Sequence, residues 1–121
     1  MFADPLVFTI DTVAKNLIRI NQDGYGSEWK LKLTTGEYTA KIRHSTYNDK
    51  TRGGLKVERH NVELVYRGYA VAPATQDTII KQYLVFETDY SMDIAASDGV
   101  IVGFAAFFSA ANVTKLQNWE S

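Results

Sequence analysis

The hydrophobic period of this chain changes once, near Asp89, and that change limits the possible fold more than any single motif does. From Phe2 to about Asp89 apolar residues tend to alternate with polar ones, the spacing of half-buried β-strands. The alternation breaks at turn-forming residues: Asp11 with Thr12, Asn21 to Gly26, Thr34 to Gly36, Asn48 to Gly54, and Ala72 to Gln76 around Pro73. These breaks predict antiparallel strands over Leu6 to Ile10, Val13 to Ile20, Glu28 to Leu33, Glu37 to Tyr47, Leu55 to Tyr69 and Asp77 to Asp89. Beyond Asp89 a helical period takes over. Ser91 or Asp89 can cap a helix with Asp93 in its first turn, and Ile94, Ile101, Phe104, Ala105 and Phe108 follow at helical spacing. The run GVIVGFAAFFSAA, Gly99 to Ala111, is apolar nearly all round, as in a helix buried on several sides. Asn112 reads as a break before a short second helix, Val113 to Trp119, with Leu116 and Trp119 as its apolar contacts. Asp98 interrupts the apolar run short of the ~20 residues that a membrane span requires, so no membrane partner is expected.

Strands first and helices last make an α+β fold. With no repeat, linker or low-complexity tract, residues 1–121 are expected to form one domain: a hairpin region over 1–12, a sheet over 13–89 and helices over 90–121. The absence of cysteine removes a disulfide framework and thiolate metal sites. Met1 to Leu6 lack a basic and apolar leader pattern, which predicts a protein made and used in the cytoplasm. A net charge of −1 selects no class of partner, so the distribution of charge has to decide.

The element order also predicts self-association. Five strands spaced by about 4.8 Å span roughly 20 Å, whereas one helix covers only about 10 Å. A second helix of similar size is most simply supplied by an identical chain about a two-fold axis, which predicts an obligate homodimer. Ile101, Phe104, Phe107 and Phe108 are the expected interface residues, and the Asp77 to Asp89 strand can pair with its own copy, removing an exposed edge.

The stretch VERHNVEL, Val57 to Leu64, places Arg59, His60 and Asn61 side by side inside a strand. Strand alternation resolves this polar centre, since Val62, Leu64 and Tyr66 fall on one face and Arg59, Asn61, Glu63 and Arg67 on the other. In the preceding strand Tyr38, Ala40, Ile42, His44 and Thr46 oppose Glu37, Thr39, Lys41, Arg43, Ser45 and Tyr47. Trp29, Leu31 and Leu33 are core with Lys30 and Lys32 facing away, and in the last strand Lys81, Tyr83, Val85 and Glu87 lie opposite Ile80, Leu84 and Phe86, a pattern that Ile79 and Gln82 blur. One face thus collects seven bases: Lys30, Lys32, Lys41, Arg43, Arg59, Arg67 and Lys81. Three mid-strand acids, Glu37, Glu63 and Glu87, leave +4; the strand-end acids Glu28, Asp77 and Asp89 bring it to +1. A basic sheet carrying a tyrosine suits single-stranded nucleic acid, with cations for phosphates and a ring to stack a base. The same pattern also describes the solvated face of an ordinary antiparallel sheet.

Catalysis has little to stand on: no phosphate-binding glycine loop, nucleophile elbow or Cys/His arrangement is present, and a non-enzyme is expected, without a cofactor. His44 and His60 can approach across the hairpin centred near Arg52, and with Glu58 they offer three metal-ligating types on one face; a pair of half-buried structural histidines is the alternative. Three classes remain: a capsid protein, a non-viral sheet-based RNA-binding regulator, and a small dimeric metalloprotein using His44 and His60.

Element order, SEWKL in the second sheet strand, IRHS entering a hairpin, VERHNVEL leaving it and QYL in the last strand before an apolar helix together resemble the coat proteins of single-stranded RNA bacteriophages, the levivirus type. The resemblance implies an N-terminal hairpin, a five-stranded antiparallel sheet and two C-terminal helices interlocked in a dimer. It implies an icosahedral shell assembled in the bacterial cytoplasm, with the sheet facing inward to bind a genomic RNA hairpin, repressing replicase translation and marking the RNA for packaging. A single-copy maturation protein in the shell is implied as a further partner. Tyr83 corresponds to the family's base-stacking tyrosine and Arg43 to a phosphate-contacting arginine, while Thr39, Lys41, Arg59 and Asn61 occupy the region of its adenine pockets. With Lys30, Lys32, Ser45, Glu63 and Lys81 from the same face, these residues form the candidate RNA-contacting set. Val71, Ala72, Pro73, Ala74 and Thr75, in the loop Ala70 to Gln76, correspond to the loop where dimers meet. Val85 stands where some members have an RNA-contacting asparagine, and Lys and Arg replace most pocket threonines and serines.

Overall fold

Two residues with φ of 50° and 65°, Asp11 and Thr12, close the first hairpin, joining β1 (Leu6–Ile10) to β2 (Val13–Gln22). The computed structural model describes residues 1–121 and continues as an antiparallel meander: β3 (Gly26–Lys32), β4 (Gly36–Asp49), β5 (Leu55–Gly68) and β6 (Thr78–Asp89), adjacent in chain order within one six-stranded sheet. β2 serves both neighbours. Its first half pairs with β1, Leu6 opposite Leu17, and its second half with β3, where the register shifts between Arg19 and Asn21. The first hairpin is therefore continuous with the sheet through β2.

Several strands outrun the turn signals. The expected turn Asn21 to Gly26 shrinks because Asp23 closes it locally: its N–H donates to the Gly26 carbonyl at 2.9 Å and its carboxylate accepts the Tyr25 N–H at 2.7 Å. Asn48 and Asp49 likewise join β4, and the turn to β5 is a short 3-10 helix, Lys50–Arg52, ended by Gly53 and Gly54 at φ of 73° and 79°, a backbone region that suits glycine. Asp49 caps that turn through Thr51 and Arg52, and these bonds hold its carboxyl below the usual carboxylate range.

The core lies under the first four strands. Leu17, Trp29 and Ala40 are buried and packed by Leu6, Phe8, Leu31, Tyr38 and Leu64; those from β3, β4 and β5 lie on the face that alternation marks as apolar, whereas in β2 the buried Leu17 shares its face with Lys15 and Arg19, and Ile18 and Ile20 are exposed on the other. Arg19 stacks its guanidinium over the Trp29 ring, 4.5 Å from the ring centre, and donates from Nη2 to the Phe2 carbonyl at 2.6 Å. The N-terminal segment is thereby tied across the edge of the core.

Contacts divide the chain into units Met1–Glu87 and Thr88–Ser121. The second unit holds α1 (Ile94–Ala106) and α2 (Ala110–Gln117), bent by 60° at the break between them. Asp93, not Ser91 or Asp89, caps α1 by accepting the Ala95 N–H. The break falls at Phe107 to Ser109 rather than at Asn112, because Ser109 Oγ accepts the Asn112 N–H and starts a new helix. Asn112 instead sits in the first turn of α2 and donates from Nδ2 to the Phe107 carbonyl at 2.7 Å, which also accepts the Ser109 N–H at 2.9 Å. Phe107 and Phe108 consequently lie in the break, packed edge to face at 5.6 Å, and Trp119 lies past the end of α2. Neither helix alone is long and apolar enough to cross a membrane. Within the chain α1 buries no residue, and Val100, Val102 and Phe104 are exposed on it.

Candidate nucleic-acid interface

Strand register gathers the candidate residues on one face. Gly26, Arg43 and Asn61 stand in one cross-strand row, Glu28, Lys41 and Glu63 in the next, then Lys30, Thr39 and Val65, then Lys32, Glu37 and Arg67. Ser45 is opposite Arg59 on the other side of the Asn61 row. β6 joins through Lys81 to Glu63 at 3.3 Å and Asp77 to Arg67 at 2.6 Å. Those two pairs run in opposite chain directions, four residues apart on each strand, and the same antiparallel step puts Tyr83 beside Asn61. All eleven residues of the candidate set therefore share the polar face.

The electrostatics differ from an open plate of cations. Lys30 pairs with Glu37 at 3.5 Å, and Lys41 and Arg43 both reach Glu28, at 3.9 and 3.6 Å. With the β6 pairs, five of the seven bases are matched by an acid on the same face, and Lys32 and Arg59 make no ion pair. Glu28, counted from sequence as a strand-end acid, is thus the shared counter-ion of two candidate phosphate ligands. Its parity with Lys30 and Lys32 in β3 is the signal that would have placed it there.

Around Asn61 the face changes character. The Arg43–Asn61 row and the Ser45–Arg59 row contain no acid. Asn61 Oδ1 is buried and has no hydrogen-bond partner, an acceptor left open in a nearly covered position. Tyr83 is 67% exposed, which leaves its side chain accessible to a planar group. At the far end, Val57 is buried on this same face beneath Tyr47, whose hydroxyl donates to Glu87 at 2.9 Å and is held in its protonated form by that bond.

The opposite face carries the histidines. His44 and His60 are directly opposed, and their Nδ1 atoms are 2.8 Å apart, one donating and the other accepting. His60 also packs on Phe86, ring centres 5.0 Å apart, with Glu58 3.7 Å from its Nε2. Two nitrogens on one tetrahedral metal with bonds of about 2.1 Å would stand roughly 3.4 Å apart, and these two already use their lone pair and proton on each other. The three residues do not form a metal-holding cluster.

Asp77 organises the loop before β6. Its carboxylate accepts the Ala70 N–H at 2.8 Å and the Arg67 guanidinium, which together hold it below the usual carboxylate range. Val71, Ala72, Pro73, Ala74 and Thr75 are all exposed within the span so closed. Because the folded group ionises more readily than the unfolded one, the clamp is complete above the ordinary carboxylate range and is lost as pH falls through the lowered value. Asp77→Asn is expected to speed hydrogen exchange of the Ala70 amide about tenfold at pH 7. An unchanged rate would show that Asp77 does not hold the loop.

A family model described as phage phiCb5, coat protein, matches residues 3–89, from the segment before β1 to the end of β6. No curated protein matches the chain. Coat proteins of that kind are structural, and the match spans well over half of the chain. With its strand meander followed by two C-terminal helices, the chain belongs to the phage phiCb5 coat protein family and is a structural component of a phage capsid.

Proposed function

We propose that the chain is the shell subunit of a single-stranded RNA phage, working as a homodimer whose polar sheet face lines the capsid interior and holds genomic RNA. The observation that carries the RNA reading is the exposed Tyr83 beside two rows without an acid of their own, where Asn61, the cation Arg59 and Arg43, which shares Glu28 with Lys41, lie together. A base stacked on Tyr83 lies beside Asn61, whose buried Oδ1 it meets only once that side chain turns outward, while Arg43 and Arg59 reach the flanking phosphates. Thr39, Ser45, Lys41 and Lys81 border this centre, and Lys30 and Lys32 extend it toward β3. A hairpin held there at the start of the replicase message would also repress its translation.

The apolar surface of α1, with Ile101, Phe104, Phe107 and Phe108, forms the contact between protomers in this reading, the exposed loop Val71 to Thr75 joins dimers, and assembly occurs in the host cytoplasm with one maturation protein per shell. Residues 1–121 then act as one coat domain.

Two substitutions separate stacking from charge. Tyr83→Ala is expected to weaken binding of a short RNA about 10- to 100-fold with little change in salt dependence. Arg43→Ala is expected to weaken it and to flatten the slope of log affinity against log salt by about 0.7, one phosphate contact. Unchanged affinity in both variants would remove RNA from this face.

A further inference from the structure

The acids among the cations have a role of their own to explain. Cross-strand pairs of opposite charge steady a sheet modestly, but here they share a second property. In each of the five pairs on this face the cation is the more exposed partner: Lys81 is 60% exposed over Glu63 at 22%, and Arg43 62% over Glu28 at 33%. Lys30, Lys41 and Arg67 repeat the order over Glu37, Glu28 and Asp77. The cations thus stay accessible beside their carboxylates, widely so except at Lys41, which at 37% is nearly matched by Glu28 at 33%. A phosphate arriving at Lys41 or Lys81 meets a cation whose field is already offset, whereas one arriving at Arg59 does not.

The offset is also arranged in space. Glu28, Lys41, Glu63 and Lys81 alternate in sign across four strands, directly beside the acid-free Arg43–Asn61 row. We propose that Glu28 and Glu63 are specificity-determining residues of the RNA face. They hold down its general affinity for polyanions, so that capture depends on the contacts around Asn61 and Tyr83 rather than on charge alone. This role rests on the RNA-binding function proposed above and adds a purpose for acids that make no favourable contact with phosphate.

The test is titration of a labelled, unstructured oligouridylate with the full chain across a salt series, comparing wild type, Glu28→Gln, Glu63→Gln and the double variant. Asp11→Asn, in the β1–β2 turn, makes the same change in net charge away from the paired cations. Each Glu→Gln substitution is expected to tighten oligouridylate binding about three- to tenfold and to steepen the salt slope by about 0.7, with Asp11→Asn within twofold of wild type. Binding by the Glu→Gln variants where wild type binds weakly or not at all supports the proposal equally. Equal affinity and slope in wild type and all Glu→Gln variants overturn the proposal alone, as does an equal gain from Asp11→Asn. No binding by any chain, at the lowest salt, overturns the RNA reading and the proposal with it.

Discussion

Phe104→Asp is expected to abolish dimers and every larger assembly, leaving monomeric or insoluble chain. Phe104 sits mid-way along the apolar run of α1 and is 60% exposed in the single chain, packed edge to face against Phe108 at 5.6 Å. Exposed residues on every side of α1, among them Val100 and Val102, give the helix far more apolar surface than a solvated helix carries. A carboxylate there, transferred into an apolar contact without a partner, costs several kcal/mol, and two-fold symmetry repeats the penalty in both protomers. Light scattering after size-exclusion chromatography reads the outcome directly. Phe104→Leu, which keeps the contact apolar, is expected to assemble. Assembly of Phe104→Asp at wild-type yield would remove α1 from the interface.

The second large effect is in the sheet. Trp29 is 1% exposed between Leu17 and Ala40, its indole Nε1–H donates to Ser27 Oγ at 2.8 Å, and Arg19 covers its outer face. Trp29→Ala removes the largest fully buried side chain, opens a cavity that paired strands cannot collapse around, and strips Arg19 of its stacking partner. A loss of about 3–5 kcal/mol is expected in urea unfolding followed by far-ultraviolet circular dichroism. A loss below about 1 kcal/mol would show that the core is not centred on Trp29.

The strand pattern was legible because alternation is set by burial on one face, and in β3, β4 and β5 the two faces separate as alternation has them, except that Val57 is buried on the polar one; in β6, where Ile79 and Ile80 are both exposed, burial does not separate the faces. Strand ends were less so: Asp23 and Asp49 satisfy turn backbones with their own side chains, which shortens loops that composition makes look long. The helix break was misplaced for a related reason. Asn112 looks like a terminator, yet Ser109 is the better cap and leaves Asn112 inside α2, bonded back to Phe107. Charge was the least legible property. Parity puts the seven bases on one face, but only the register between β3 and β4 shows that Glu28 stands between Lys41 and Arg43. The open acceptor on Asn61 was equally out of reach, because an unsatisfied atom depends on its neighbours in three dimensions.

The measurement closest to the central claim is electron microscopy of the chain expressed in bacteria, with absorbance at 260 and 280 nm taken on the same fraction. Uniform closed shells with nucleic-acid absorbance are the expected result. Small dimers free of RNA would contradict a shell subunit that holds RNA on its inner face.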